Sequence, residues 1–376
     1  MARRKGKSRR RVKDWQRRMR QRGDAEALDE AHEAEPLQPQ RVKLPPDRPS
    51  GPGESELADR PRVEGMVTGL YPRGAYVRIA GRDLPCSIAK TFRAPPGASP
   101  LAVGDQVTVA LTPPEQISGD TELDKDRADG VILSRRPRET ALSRPPGLRG
   151  RRRRQYDEPV AEKVIVANME ILLIVTSTRQ PPPRPGLIDR FCIVADRGEM
   201  EPVVVFNKID LGPPDEALLE ELTGGGLRTV CCSALRGDGL EELVKVIGGR
   251  RSVLAGASGV GKSTLVNALV PGANLPTGPV RQKDQRGRHV TAAASVHELP
   301  GGGLIVDTPG IRELAMGIEA TELPWYFPEI AELTPQCRFN DCTHSHEPGC
   351  AVRAAVEAGA ISARRYRSYL RILETL

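Results

Sequence analysis

Residues Gly256, Ala257, Ser258, Gly259, Val260, Gly261, Lys262, Ser263 and Thr264 have the types and spacing of a phosphate cradle. Glycines let consecutive main-chain N–H groups converge on an anion, and a helix starting behind them adds the positive end of its dipole. In this pattern Lys262 reaches the β- and γ-phosphates of a nucleoside triphosphate and Ser263 ligates Mg²⁺. The strand pattern Ser252–Ala255 before the loop and the helical pattern Ser263–Val270 after it supply the context the chemistry needs. A glycine-rich turn without function is the alternative, and the complete pattern weighs against it.

Asp307, Thr308, Pro309 and Gly310 follow the strand pattern Leu304–Val306, and Asp307 lies 44 residues beyond Ser263. An aspartate there holds Mg²⁺ through water, and the Gly310 N–H senses a γ-phosphate. The polar stretch 272–290 between them carries Arg281, Lys283, Arg286 and Arg288. Thr277 and Thr291 are its candidate hydroxyls for sensing Mg²⁺ and γ-phosphate. Thr291 is preferred because it precedes the strand pattern Ala292–Leu299. Such loops order around the γ-phosphate and relax after hydrolysis. Ile311 stands where many GTPases carry a water-orienting glutamine. His289 is the candidate substitute, with a surface histidine as the alternative.

Asn207, Lys208, Ile209 and Asp210 end the apolar run Val203–Phe206. A carboxylate at Asp210 accepts from N1–H and the exocyclic amine of guanine, and adenine would leave that charge unpaired. Ser233, Ala234 and Leu235 follow the next strand pattern, where a backbone N–H would meet the guanine carbonyl. The base motif therefore precedes the phosphate loop, the reverse of the usual GTPase order. A circular permutation of one sheet restores each motif to its strand end.

A third cluster follows. Cys337, Cys342, His344 and Cys350 form a C-x4-C-x-H-x5-C pattern suited to a tetrahedral structural zinc, with His346 as a competing ligand. Tyr366, Tyr369, Leu370 and Leu373 mark the apolar stripe of a helix running to Leu376. Arg364, Arg365, Arg367 and Arg371 of that helix offer either a solvated face or an RNA contact. Cys86, Cys192, Cys231 and Cys232 read as core residues.

Elements must position these groups. From residue 164 to 310 strand and helix patterns alternate, as in βαβ units with a mostly parallel sheet. The strands are Val164–Val166, Ile171–Val175, Val203–Phe206, Thr229–Cys232, Ser252–Ala255 and Leu304–Val306. The helices are Leu187–Arg197, Glu216–Leu222, Leu240–Ile247 and Ser263–Val270. Before them, short strands at Val63–Tyr71, Ala75–Ala80, Leu84–Ala89, Gln106–Leu111 and Gly130–Leu133 suggest a small OB-like β-barrel. Such a barrel binds single-stranded nucleic acid or serves as a structural or protein-binding module.

The expected division is a disordered extension over 1–60, a barrel over 61–136, a basic linker over 137–160, a permuted GTPase domain over 161–318 and a zinc-binding helical module over 319–376. Residues 1–22 hold twelve Lys or Arg, and residues 24–35 hold six acids. This arm contacts RNA or solubilises the chain. The chain has 376 residues and a net charge of +7, a basic balance that favours a polyanionic partner. No segment approaches the roughly 20 apolar residues of a membrane helix. The start lacks an apolar secretory core, and seven cysteines are an odd number. A disulfide framework is therefore not expected, and the expected compartment is the cytoplasm.

The motifs NKID, SAL, GASGVGKST, GRHVTA and DTPGI and the cysteine pattern, in this order, resemble the ribosome small-subunit-dependent GTPase A family (RsgA, also YjeQ) over about residues 61–376. The residues lead us to expect GTP and GDP binding with Mg²⁺ and one Zn²⁺, and the chain is expected to act as a monomer; the resemblance implies a bacterial cytoplasmic factor. It further implies action late in maturation of the small ribosomal subunit, contact with its rRNA, and hydrolysis stimulated by that subunit. The family shows a threonine-rich stretch where this chain has His289, Val290, Thr291 and Ala292. The competing readings are an RNA-binding scaffold whose nucleotide only locks shape, and a P-loop ATPase. The complete set Lys262, Ser263, Thr291 and Asp307 favours the enzyme, and Asp210 opposes ATP.

Overall fold

The computed structural model describes residues 57, 59–94, 99–113, 128–144, 163–275, 294–308 and 316–376. His289, Thr291, Thr277, Gly310 and nearly all of the expected extension lie outside them. The chain divides into two compact units, one spanning Pro39–Met316 and the other containing Gly317–Leu376.

The first unit opens with β1 (Arg62–Tyr71), β2 (Gly74–Ile79), β3 (Arg82–Ile88), β4 (Gln106–Leu111) and β5 (Gly130–Arg135). They close into a barrel in the order β1-β2-β3-β5-β4, with β4 returning to β1. Only β3 and β5 run parallel; the other pairs are antiparallel, the OB arrangement. Alternate β-branched side chains (Val67, Val77, Val107, Val109 and Val131) fill its interior.

Two departures from the sequence reading follow. Ala141–Arg144, inside the expected linker, forms β6, and it pairs antiparallel with β7 (Lys163–Ala167). The strand read at Val164–Val166 thus belongs to this ribbon and not to the parallel sheet. Four residues among prolines and arginines give too short an alternation to read as a strand, but Leu142 is fully buried. The ribbon joins barrel to sheet, since Val103 bridges Val166. Asn168 donates to the Gly104 carbonyl at 3.0 Å and accepts from the Glu139 N–H at 2.9 Å.

β8 (Ile171–Ser177), β9 (Glu201–Asn207), β10 (Arg228–Cys231), β11 (Arg251–Ala255), β12 (Ser295–Glu298) and β13 (Leu304–Asp307) form one sheet in the order β10-β9-β8-β11-β13-β12. All pairs are parallel except β12 with β13. Every residue of β8 is buried, which is why it reads as a continuous apolar run rather than an alternation. Helices α1 (Pro185–Arg197), α2 (Glu216–Gly224), α3 (Leu240–Ile247) and α4 (Lys262–Leu269) connect the strands. Proline opens α1, and the Asp215 carboxylate accepts from the Leu218 N–H at 2.8 Å to cap α2. Leu243, Val246, Leu265 and Val266 pack on Leu173, Val205 and Leu254.

The second unit holds α5 (Pro328–Ala331), α6 (Ala351–Glu357) and α7 (Ala363–Leu373), with short 3₁₀ turns at Leu323–Tyr326 and Thr334–Gln336. The expected stripe on α7 is led by Tyr369 and by Ile372, which the sequence reading passed over, both buried. Arg365 pairs with Glu329 at 2.6 Å and lies 4.5 Å from the Phe327 ring centre.

Asp105 is fully buried at the barrel's base, and Arg138 approaches its two oxygens at 2.7 and 2.8 Å. The Ala102 N–H donates to the same carboxylate at 2.7 Å. Removing one member of a buried pair strands the other charge. Asp105→Asn should therefore cost about 3–5 kcal/mol, seen as a lower urea midpoint by circular dichroism.

Candidate nucleotide and metal sites

The phosphate loop joins β11 to α4, so its N–H groups gather at the C-terminal edge of the sheet, where α/β proteins bind ligands. Gly256 has φ of +144°, and a Cβ there would lie 2.2 Å from the Val175 carbonyl oxygen. Gly261 caps α4 at φ +94°, and its Cβ would strike Asn207 Nδ2 at 2.4 Å. Side chains are excluded at both points because neighbouring strand ends press on the loop. Lys262 Nζ donates to the carbonyls of Gly256 at 2.8 Å and Ala257 at 2.9 Å. Ser263 and Thr264 occupy the first turn of α4 and are partly exposed, Ser258 and Gly259 are exposed, and Val260 is buried.

Asn207 ends β9 and is 1% exposed. Its Nδ2 donates to the Val260 carbonyl at 2.9 Å, and its Oδ1 accepts from the Ala234 N–H at 3.0 Å. One carboxamide thus straps the phosphate loop to the segment after β10. Lys208, at φ +65°, starts the short turn Ile209–Leu211. Its Nζ donates to the Gly259 carbonyl at 2.7 Å and to the Gln180 carbonyl. Asp210 is partly exposed, and its Oδ1 accepts from Ser233 Oγ at 2.6 Å, which orients the carboxylate. Ser233 and Ala234 are buried, whereas Leu235 is 79% exposed beside them. Sequence reading missed Gln180 and also Thr178, whose hydroxyl donates to the Lys208 carbonyl at 2.8 Å. Gln180 contributes a main-chain carbonyl, and no side-chain signature could have announced it.

Asp307 ends β13 in register with Leu254 of β11, one residue before the end of that strand. That adjacency brings its carboxylate to the edge that carries the phosphate loop. Thr308 is buried, and its hydroxyl has no hydrogen-bond partner among the described residues. The donor set of a serine hydroxyl at a helix start and a carboxylate at the adjacent strand end suits a hard, oxygen-seeking cation.

In the second unit the ligand atoms of Cys337, Cys342, His344 and Cys350 all lie within 4.8 Å of one another. The cluster can hold a metal ion. A zinc tetrahedron with Zn–S about 2.3 Å and Zn–N about 2.05 Å sets sulfurs about 3.8 Å apart and sulfur and nitrogen about 3.6 Å apart. Cys337 and Cys350 sulfurs are 3.9 Å apart, and His344 Nδ1 is 3.5 Å from each. His344 is buried at φ +61°, with Nε2 3.2 Å from Thr334 Oγ1, while His346 is exposed. Tyr366 and Tyr369 of α7 donate to the His344 and Thr343 carbonyls at 2.7 and 2.9 Å. Burial acts to raise the Glu347 carboxyl, but hydrogen bonds from Thr343 and His346 outweigh it and bring it to about 2.

Asn207→Ala would leave a buried carbonyl and a buried N–H unpaired, at about 1–3 kcal/mol each. GTP and GDP affinity should fall together by roughly 10- to 100-fold in a fluorescent-nucleotide titration, with secondary structure retained.

The profile of the RsgA GTPase family matches residues 136–317. The small ribosomal subunit biogenesis GTPase RsgA of Gemmatimonas aurantiaca is 41% identical over 286 residues, covering 74% of this chain and 86% of that protein. The protein of the same name from Moorella thermoacetica is 38% identical over 313 residues, 83% of this chain and 96% of that one. Among solved structures, YjeQ from Thermotoga maritima is similar with a TM-score of 0.60 and 30% identity, over 84% of this chain and 99% of that one. YloQ, a circularly permuted GTPase, is similar with a TM-score of 0.56 and 25% identity, over 84% and 95% of the two chains. The phosphate loop preceded in sequence by a guanine-type base motif, and the extent of these likenesses, lead to one conclusion: the chain belongs to the RsgA family of circularly permuted GTPases and is a GTP-hydrolysing enzyme.

Proposed function

We propose that this enzyme hydrolyses GTP to GDP and phosphate as a late maturation factor of the small ribosomal subunit, and that the subunit stimulates it. The observation that carries the nucleotide part is the Asn207 strap, which holds base motif and phosphate loop as one pre-shaped edge. The relatives' names, small ribosomal subunit biogenesis GTPase, support the cellular role. Asp210, held by Ser233, reads the guanine N1–H and amine; Lys208 and Leu235 flank the base. The N–H groups of residues 256–264 and the Lys262 ammonium bind the phosphates. Ser263 and Asp307, with Thr291, would hold Mg²⁺, which when bound neutralises charge on the β- and γ-phosphate oxygens. Gly310 senses the γ-phosphate, and His289 orients the attacking water.

In the second unit, Cys337, Cys342, His344 and Cys350 would hold one structural Zn²⁺, an assignment supported by spacings that suit its tetrahedron. The described residues contain no helix long and apolar enough to cross a membrane. The role proposed here places the enzyme in the cytoplasm, acting as a monomer on the subunit and its rRNA.

The decisive measurement is GTP turnover with and without purified small subunits. Isolated turnover should be slow, because Ile311 cannot orient water, and subunits should raise it roughly 10²–10⁵-fold. No rise, together with equal subunit affinity for the GDP-bound and non-hydrolysable-GTP-bound enzyme, would sink the assignment. Asp210→Asn should weaken GTP and GDP and improve binding of xanthine nucleotides, whose C2 carbonyl suits an amide donor. Elemental analysis should find about one zinc per chain, lost together with the fold of the second unit in Cys342→Ser.

A further inference from the structure

β12 is an edge strand of only four residues, Ser295–Glu298. Its inner edge pairs with β13 and sets Ser295 opposite Asp307. In sequence it follows directly on the segment that carries His289 and Thr291. Whatever restrains β12 therefore restrains the connection between the two γ-phosphate-sensing segments.

The barrel supplies such a restraint. Arg78 of β2 reaches Glu298 with Nη1 at 3.1 Å. Its other edge is fixed, with Nε and Nη2 2.8 and 2.9 Å from the two oxygens of Asp83. Hydrogen bonding to Arg78 holds the Asp83 carboxyl below its ordinary value, against the effect of burial. The guanidinium plane is thus anchored by Asp83, and Nη1 is its exchangeable donor. Glu298 is 61% exposed, so a competing anion can reach the pair. Next to Glu298 lies His297, in register with Ile305 and so on the same face as Asp307. Its Nε2 is buried without a hydrogen-bond partner among the described residues.

Arg78 also borders a surface suited to bases. Tyr76, two positions before it on the same face of β2, is 46% exposed. The Tyr71 and Tyr76 rings lie 5.2 Å apart. Tyr71 is half-buried and its hydroxyl donates to the Cys86 carbonyl at 3.1 Å, so it backs the exposed Tyr76 ring. An exposed aromatic with an adjacent arginine offers a stacking surface with a phosphate contact. We propose that the Arg78–Glu298 contact is an inhibitory tether: single-stranded RNA on the Tyr71–Tyr76 face offers a phosphate to Arg78 Nη1, releases Glu298, and frees β12 to adopt the hydrolytic arrangement. The tether rests on the reading of the chain as a GTPase stimulated by the small ribosomal subunit, but it makes a claim about the protein alone.

That claim is tested on the isolated full-length enzyme. Glu298→Ala should raise its GTP turnover about two- to fivefold, the range an exposed ion pair can control, and Glu298→Gln should act in the same direction. Arg78→Ala should match it, and the double variant should exceed neither single one. A uridine oligonucleotide, as probe, should stimulate the wild type and leave Glu298→Ala unchanged. With saturating small subunits, Glu298→Ala and wild type should agree within about twofold. Unchanged or lower isolated turnover in both Glu298 variants, or multiplicative effects in the double variant, would overturn the tether. If subunits still stimulate the wild type in that case, the proposed function stands and only the tether falls.

Discussion

The nucleotide edge depends on one buried carboxamide. Asn207 satisfies a carbonyl of the phosphate loop and an N–H of the segment after β10 at the same time. Neither group has access to water, so the two loops cannot separate without stranding both. Around this point the other contacts fall into place. Gly261 must lack a side chain because Asn207 presses on it. Lys208 binds Gly259 from the same turn, and Asp210 is oriented by Ser233 on the same segment as Ala234. A site that recognises a base and cradles phosphates needs these distances held constant, and the strap holds them.

The permuted order becomes understandable on this frame. β8, β9 and β10 come first in sequence and carry the base motif, and β11 then enters at the open side of β8. Parallel pairing is indifferent to which strand was made first, so the sheet and the strap form either way. What changes is where the chain goes afterwards. The strand ending in Asp307 is the last of this sheet, and a short stretch leads from it to the second unit, which begins at Gly317.

Much of this was legible in residue patterns. The phosphate loop, the base motif and the strand ahead of Asp307 were readable because glycines, a lysine and a carboxylate recur at spacings fixed by strand–turn–helix geometry. The barrel was readable because β-branched residues alternate between glycine and proline turns. The β6–β7 ribbon was not, since four residues embedded in a basic, proline-rich stretch carry too little periodicity, and only the burial of Leu142 reveals it. Sequence left His344 and His346 both open; the backbone turn at His344 and the covering tyrosines of α7 decide which imidazole faces the sulfurs. The Arg78–Glu298 contact spans 220 residues, and no local pattern signals it.

The ribbon and the Asp105 cluster also bear on how this unit comes apart. Asn168 bonds to Gly104 on the barrel side and to Glu139 in the connecting segment, and Arg138 of that segment closes on Asp105. The barrel, the connecting segment and the ribbon that leads into the sheet therefore share buried polar partners that none can satisfy alone, which ties them into one block rather than beads on a linker. By mass action, a nucleotide bound only by the folded sheet lowers the free energy of the whole block. The barrel, which supplies none of the nucleotide-site residues named above, thereby inherits thermal protection from a nucleotide at the C-terminal edge of the sheet.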